Sequence, residues 1–244
     1  MRGHDCRDMI PVSLSGGVEP GARTGTSVSG QLVVLWRGQD GTARAWADRC
    51  PHRGMRLSFG YVRGNTLTCI YHGWSFGQED GGGHAASAGD GRCLAVPAHP
   101  GLTPPARAAV PALPVTEALG MIWVGRGPAD TQPPPGAAGR DREVHPVRSV
   151  TVHAPAAALR AAFEATLPPG TETAETAETA DGSGTGGIVT FKGPSALVIA
   201  AIQDRGDGTS SAHVVSADGD PAARRALCLW AALVRDHLAA VVLP

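Results

Sequence analysis

Asp48-Arg49-Cys50-Pro51-His52-Arg53-Gly54-Met55-Arg56 and Cys69-Ile70-Tyr71-His72-Gly73-Trp74 are the two stretches that decide how this chain is read. Sixteen residues separate His52 from Cys69, giving the pattern C-x-H-x16-C-x2-H. Each half puts one thiol and one imidazole on a short turn. Gly54 and Gly73 let the backbone curl close to a metal. Two thiolates suit one iron and two neutral imidazoles suit a second. Imidazoles in place of thiolates remove negative charge, which makes the reduced state of a two-iron cluster easier to reach. Two cysteines and two histidines also suit structural zinc, so spacing alone leaves that alternative open.

Outward from the motif, Gln31–Arg37 reads as a strand, 38–41 as a Gly-Gln-Asp-Gly turn, and 42–47 as the returning strand of a hairpin. Residues 1–30 are Gly- and Ser-rich with a short apolar start near 9–12, and 78–91 reads as a Gly-rich insertion. Short strands are predicted at 93–96 and 120–124. Cys93 reads as a strand residue rather than a fifth ligand, and Cys6 and Cys228 as bystanders. A Pro/Gly/Asp/Arg stretch at 129–146 is the candidate linker. It divides the chain into residues 1–128 and 147–244. In the second part a strand is expected at 147–153 and a helix at 156–167, with Pro155 suiting its first position. An Ala-Glu-Thr repeat at 171–187 reads as a mobile loop. Strands follow at 187–192, 196–203 and 209–216. A long helix is expected at 220–242, its apolar face carrying Leu227, Trp230, Leu233, Val234 and Leu238. The fold class is mostly β, followed by a small α+β domain.

Composition removes several function classes. The net charge of −1 offers no basic field for nucleic acid or an anionic membrane. No run of about 18 apolar residues reads as a membrane span. The start MRGHDCRDMIPV has no long apolar core, so an export signal is not expected. Five cysteines, an odd number with two at ligand spacing, favour a reduced cytoplasmic compartment over a disulfide framework.

The flanks of the two loops carry a resemblance. Cys50-Pro-His-Arg-Gly-Met-Arg-Leu-Ser-Phe-Gly60 and Cys69-Ile-Tyr-His-Gly-Trp-Ser-Phe76 resemble the Rieske domain of ring-hydroxylating oxygenases, especially the vanillate-demethylase and phthalate-dioxygenase type. Leu32–Arg37, Asp40-Gly41, Gly91–Pro97 and Leu119–Val124 resemble its flanking strands, so the likeness covers about residues 10–128. It implies a [2Fe–2S] cluster with Cys50 and Cys69 on the buried iron and His52 and His72 on the outer one. Tyr71 and Trp74 would pack over the loops. Arg53 would either face a redox partner or bond local carbonyls. Respiratory Rieske proteins have a disulfide where Met55 and Tyr71 stand here. Its absence places the potential toward the low end of the Rieske span of about −150 to +300 mV.

The same family binds a ferrous ion in its second domain, on a helix with two histidines a turn apart and a carboxylate from elsewhere. No such pair occurs in this chain. The second part resembles a trimmed helix-grip domain in the order of its elements only. Three functions follow as expectations. The first is a one-electron transfer component, served by a reductase or ferredoxin and passing electrons to a partner oxygenase. The second is a complete oxygenase with unusual iron ligands, drawn from His145, His153, Asp141 and Glu143, or from His213 with Asp204. The third is a metal-stapled binding module without redox chemistry. Family members are often trimers, which leaves a homo-oligomer open, although without an iron motif that reason for trimerising lapses.

Overall fold

The computed structural model describes residues 9–77, 91–125, 143–178 and 187–242. Within them the chain forms four antiparallel sheets and two α-helices. The first half holds three of the sheets. A meander of β2 (Arg23–Val28), β3 (Gln31–Arg37) and β4 (Ala43–Ala47) is joined by β10 (Ala112–Leu113). The second sheet runs β5 (Tyr61–Arg63), β6 (Thr66–Thr68), β7 (Ser75–Gly77), β8 (Gly91–Ala95) and β9 (Ala109–Val110). The third places β12 (Met121–Gly125) between β1 (Met9–Leu14) and β11 (Val115–Ala118).

The expected hairpin is present: β3 pairs β4 from Val33↔Ala47 to Arg37↔Ala43. Its Val33–Trp36 run is apolar on both faces because each face is buried in a different core. Val34 and Trp36 point with Trp46 toward Cys50 and Cys69. Val33 and Leu35 point the other way, against Ile10, Ile122 and Val124. Alternate side chains of a strand leave on opposite sides, so one strand serves two cores.

In the second half one sheet runs β13 (His145–Val152), β17 (Ser210–Ser216), β16 (Leu197–Asp204), β15 (Gly187–Lys192) and β14 (Thr173–Glu178). The helices α1 (Ala156–Glu164) and α2 (Pro221–Val242) cover one face. Between them and the sheet, Trp230 meets Phe163 and Phe191 edge-on, at ring-centroid distances of 5.2 and 5.4 Å. With Leu159, Val189, Val198, Ile202 and Val214, these rings fill the space beneath α2. The indole N–H of Trp230 donates to the Thr166 carbonyl at 3.1 Å.

The opposite face rests on the first half. Ile188, Ile199, Ala201 and Val215 pack on Met9, Met121 and Trp123. A buried polar chain crosses the same junction. Ser149 Oγ lies 2.8 Å from His213 Nδ1, and His213 Nε2 lies 3.4 Å from Gln203 Oε1. Gln203 Nε2 donates to the Ser27 carbonyl at 2.7 Å and to Thr26 Oγ1 at 3.4 Å. Two turns also meet here: the Gly30 N–H and the Ser27 hydroxyl both donate to the Arg205 carbonyl.

Several expectations need correction. The stretch read as a mobile loop at 171–187 contains β14, paired along its length with β15 from Thr173↔Lys192 to Glu178↔Gly187. Its residues through 177 are exposed or nearly so, and a fully exposed edge strand needs no apolar alternation to mark it. Ladder bonds hold it, with an ion pair from Lys192 Nζ to Glu175 Oε2 at 2.6 Å and a hydrogen bond from Thr176 Oγ1 to Glu164 at 2.7 Å. Residues 9–30, which in sequence are only Gly- and Ser-rich with a short apolar start, hold β1 and β2. Pro155 is the residue before the helix rather than its first member, and α1 stops at Glu164. Leu233 leaves the apolar face of α2 for solvent. The insertion at 78–90, most of the linker (129–142), and Cys6 and Asp141 lie outside the described residues.

Candidate metal centre

The first motif loop links β4 of the first sheet to β5 of the second, and the second loop joins the neighbouring strands β6 and β7. The two loops are built alike. The Cys50 N–H donates to the Met55 carbonyl at 2.8 Å, and the Cys50 carbonyl accepts from Gly54 at 2.9 Å. The Cys69 N–H donates to the Trp74 carbonyl at 2.9 Å, and the Cys69 carbonyl accepts from Gly73 at 3.0 Å. Both glycines sit in the left-handed region, Gly54 at φ 74° and Gly73 at φ 70°. A side chain there is strained on chirality grounds, so glycine at the fourth residue after each cysteine lets the loop close.

The anchorage explains why the loops stay put. Asp48, buried just before the first loop, accepts from the Ser58 N–H at 2.7 Å and from the Ser58 hydroxyl at 2.6 Å. Arg23 Nε donates to the Gly60 carbonyl at 2.6 Å. Thr68 and Ser75, flanking the second loop, share a hydroxyl contact at 3.1 Å. Beneath both loops Leu57, Leu67, Phe76, Trp36 and Trp46 form a packed floor that includes the two cysteines.

Cysteines and histidines separate by depth. Cys50 and Cys69 are each 2% exposed and lie side by side, while His52 and His72 are at the surface. Burial, with the Cys69 sulfur adding to it, pushes the Cys50 thiol up to about 11. Two adjacent thiolates are therefore disfavoured unless a cation neutralises them. The His52 imidazole is held below its ordinary value, chiefly by desolvation and then by positive charge at His72 and Arg53. A neutral imidazole is the form that ligates a metal.

The two imidazoles meet edge-on, with centroids 4.7 Å apart at 66°. Trp74 lies flat on His52 at 4.5 Å, the rings within 4° of parallel, and Tyr71 leans on His72 at 3.9 Å. Tyr71 and Trp74 thus each lie against a motif histidine, and Trp74 fixes the plane of one imidazole. That stacking was not legible from spacing. Among the described residues no three Cys, His, Asp or Glu side chains converge on one point. The four motif residues instead form a sulfur pair below a nitrogen pair. Such a split set suits two metal atoms better than a single tetrahedral ion.

The family model of the Rieske [2Fe-2S] domain matches residues 8–105. Residues 8–105 are a Rieske [2Fe-2S] domain. Its cofactor is a Rieske-type [2Fe–2S] cluster, and the donor set just described fits one. The chain is 43% identical to the oxidoreductase NdmD of Pseudomonas putida over 105 residues, which is 43% of this chain and 16% of that protein. It is 34% identical to the vanillate O-demethylase oxygenase subunit of a Pseudomonas strain over 110 residues, 45% of this chain and 27% of that one. The aligned stretch is thus less than a third of either relative. Fold likeness reaches further. Apo dicamba monooxygenase superposes on 97% of this chain and 85% of its own, with a TM-score of 0.70 at 20% identity. NdmA of Pseudomonas putida gives 0.66 over 95% of this chain and 80% of its own, at 18% identity. The second half therefore shares its fold with the corresponding part of these oxygenases.

The remaining candidates fall elsewhere. Cys93 is buried in β8 opposite Phe76, and Cys228 is in α2 with its Sγ 3.1 Å from the Val147 carbonyl. Arg53 is exposed. Among the described residues no three of the alternative iron ligands come together. His145 opens β13, and His153 is exposed beyond its far end. His213 faces the junction, bound by Ser149 and Gln203. Asp204 accepts from the Gly206 N–H at 2.8 Å in the following turn. The buried chain through His213 escaped sequence reading, since a lone polar residue at an inward strand position carries no signature.

Proposed function

We propose that this chain is a one-electron transfer component whose cluster is held by Cys50 and Cys69 on one iron and by His52 and His72 on the other. The observation that carries the reading is the pair of matched loops, with sulfurs buried together and imidazoles exposed together. When bound, the cluster takes up and returns one electron. The protein's own part is to keep the thiols dry, to favour the neutral form of His52, to hold the two imidazoles oriented against Trp74 and Tyr71, and to expose the histidine edge to a partner.

The surface around that edge supports a redox partner of acidic character. Residues 49–77 carry Arg49, Arg53, Arg56 and Arg63 and neither Asp nor Glu. With a whole-chain charge of −1, the loops and hairpin stand at +4 and the rest at −5. All four arginines are exposed, and among them Phe59, Tyr61, Ile70 and Tyr71 are 47–60% exposed. An apolar centre with a charged rim suits fast, salt-sensitive encounter. A solved complex of the carbazole 1,9a-dioxygenase oxygenase with its ferredoxin is among the structures of like fold. We take a ferredoxin or a reductase as the donor here, a partner oxygenase as the acceptor, and the cytoplasm as the compartment. Among the described residues no helix is long and apolar enough to cross a membrane.

The filled space beneath α2 favours this reading over a self-contained oxygenase, because Phe163, Phe191 and Trp230 occupy the volume between helices and sheet. Anaerobically purified protein should contain two irons and two sulfides per chain and give a Rieske-type EPR signal on reduction. A third iron with oxygen-dependent turnover would overturn the assignment. So would a single colourless metal.

A further inference from the structure

The helix α2 has a second apolar face that the described residues leave exposed. Leu227, Trp230, Ala231, Val234 and Leu238 face the sheet. On the outer side, Ala222, Ala226, Leu229, Leu233 and Ala240 follow one another in steps of four, three, four and seven residues. That is a heptad seam, not a scatter of surface residues. Leu229 and Leu233 are 62% and 68% exposed, in a helix otherwise well packed. Isolated exposed leucines need no explanation, but an aligned seam on a rigid helix is a contact surface.

The seam also reads the same from both ends at four of its five positions, Ala226 alone meeting Asp236. Turning a second copy end for end about the helix midpoint at residue 231 sets Leu229 against Leu233 of the other copy, and Ala222 against Ala240. Small residues then meet at the ends and large ones in the middle. Charge follows the same symmetry. Arg225 and Asp236 lie on one flank of the seam, and in this register each Arg225 falls beside Asp236 of the other copy, about 1.5 Å apart along the axis. Both side chains are available for this: Arg225 is exposed, and Asp236 is more than half exposed while holding Arg235 at 2.6 Å. A two-fold contact demands such self-complementarity, because each residue must accept its own partner's partner.

We propose that α2 pairs with α2 of a second copy of this chain, antiparallel, through Ala222, Leu229, Leu233 and Ala240, with two Arg225–Asp236 ion pairs on the flank. The cluster and its basic rim lie on the other half of the chain and take no part, so this pairing stands apart from the electron-transfer reading.

Sedimentation equilibrium of the full chain, cluster loaded, tests it across a wide concentration range. A monomer–dimer equilibrium is expected. The variant L229D/L233D should be monomeric at every concentration, with unchanged far-UV dichroism and an unchanged Rieske spectrum. Arg225→Asp should weaken dimerisation by roughly tenfold, since two attractive contacts become repulsive at the scale of exposed ion pairs. Adding Asp236→Arg to it should restore the dimer. Three results would each overturn the proposal: a monomeric wild type, a dimer that persists in L229D/L233D, or a charge-swapped double variant no better than Arg225→Asp.

Discussion

His213 makes the stability of this protein depend on pH in a predictable window. It is completely enclosed at the junction of the two halves, between Ser149 and Gln203. Burial, and secondarily the positive charge of Arg205, lowers its pKa from 6.5 to about 4. Gln203 donates its amide N–H groups to Ser27 and Thr26, so its oxygen is left to accept from His213 Nε2–H, and Nδ1 accepts from the Ser149 hydroxyl. That pattern requires the neutral ring. In the unfolded chain the imidazole titrates near 6.5. The folded state therefore binds fewer protons than the unfolded state between pH 6.5 and 4. Stability is full above pH 6.5 and falls as pH drops through the window, by about 1.4 kcal/mol per pH unit and by about 2.5 kcal/mol at pH 4.5. Urea unfolding of wild type and of His213→Gln, followed by far-UV dichroism at several values from pH 7.5 to 4.5, measures this directly. Glutamine keeps both hydrogen-bond partners within reach and does not titrate. Acid effects on the metal loops and on carboxylates such as Glu117 are common to both proteins and cancel in the difference. The two stabilities should diverge below pH 6.5, the wild type losing more. Parallel curves throughout the window would refute the reasoning.

Replacing His72 by Ala should abolish the Rieske EPR signal and lower the melting temperature of the first half, because metal binding and loop order are coupled; a normal signal would reject the ligand assignment. Trp74→Ala should retain two irons per chain but free the His52 ring, with a loss of about 1 kcal/mol from the stacked pair and a shifted EPR line shape, read by denaturation and spectroscopy. Trp230→Ala should cost about 3–5 kcal/mol in urea unfolding, since the ring is the centre of the packing among Phe163, Phe191 and the Thr166 carbonyl. Arg53→Glu combined with Arg56→Glu should slow reduction by an acidic electron donor and flatten its dependence on salt, as stopped-flow traces would record, while leaving the cluster spectrum in place.

Local chemistry on two short loops was enough to name the cofactor. Cys, His and Gly at fixed offsets dictate how the backbone must turn, and that information is contiguous in the chain. The β3–β4 hairpin and the long helix were legible for the same reason, since Asp-Gly turns and helical periodicity are local signals. What lay between residues distant in sequence was not legible. β14 looked like a mobile loop because what orders it is its pairing with β15 and side-chain contacts to Lys192 and Glu164. Gln203 and Ser149 looked like ordinary strand residues, and His213 like an alternative iron ligand, until the packing of one half on the other buried them beside Thr26 and Ser27. The placement of the two sulfurs below the two imidazoles, and of Trp74 flat against His52, likewise depends on β6 and β7 bringing the second loop beside the first. The sequence determined which atoms are offered to a metal. Only the tertiary structure decided which of them are dry, which are exposed, and which surfaces remain uncovered, because burial is a property of the assembled layers and not of any one segment.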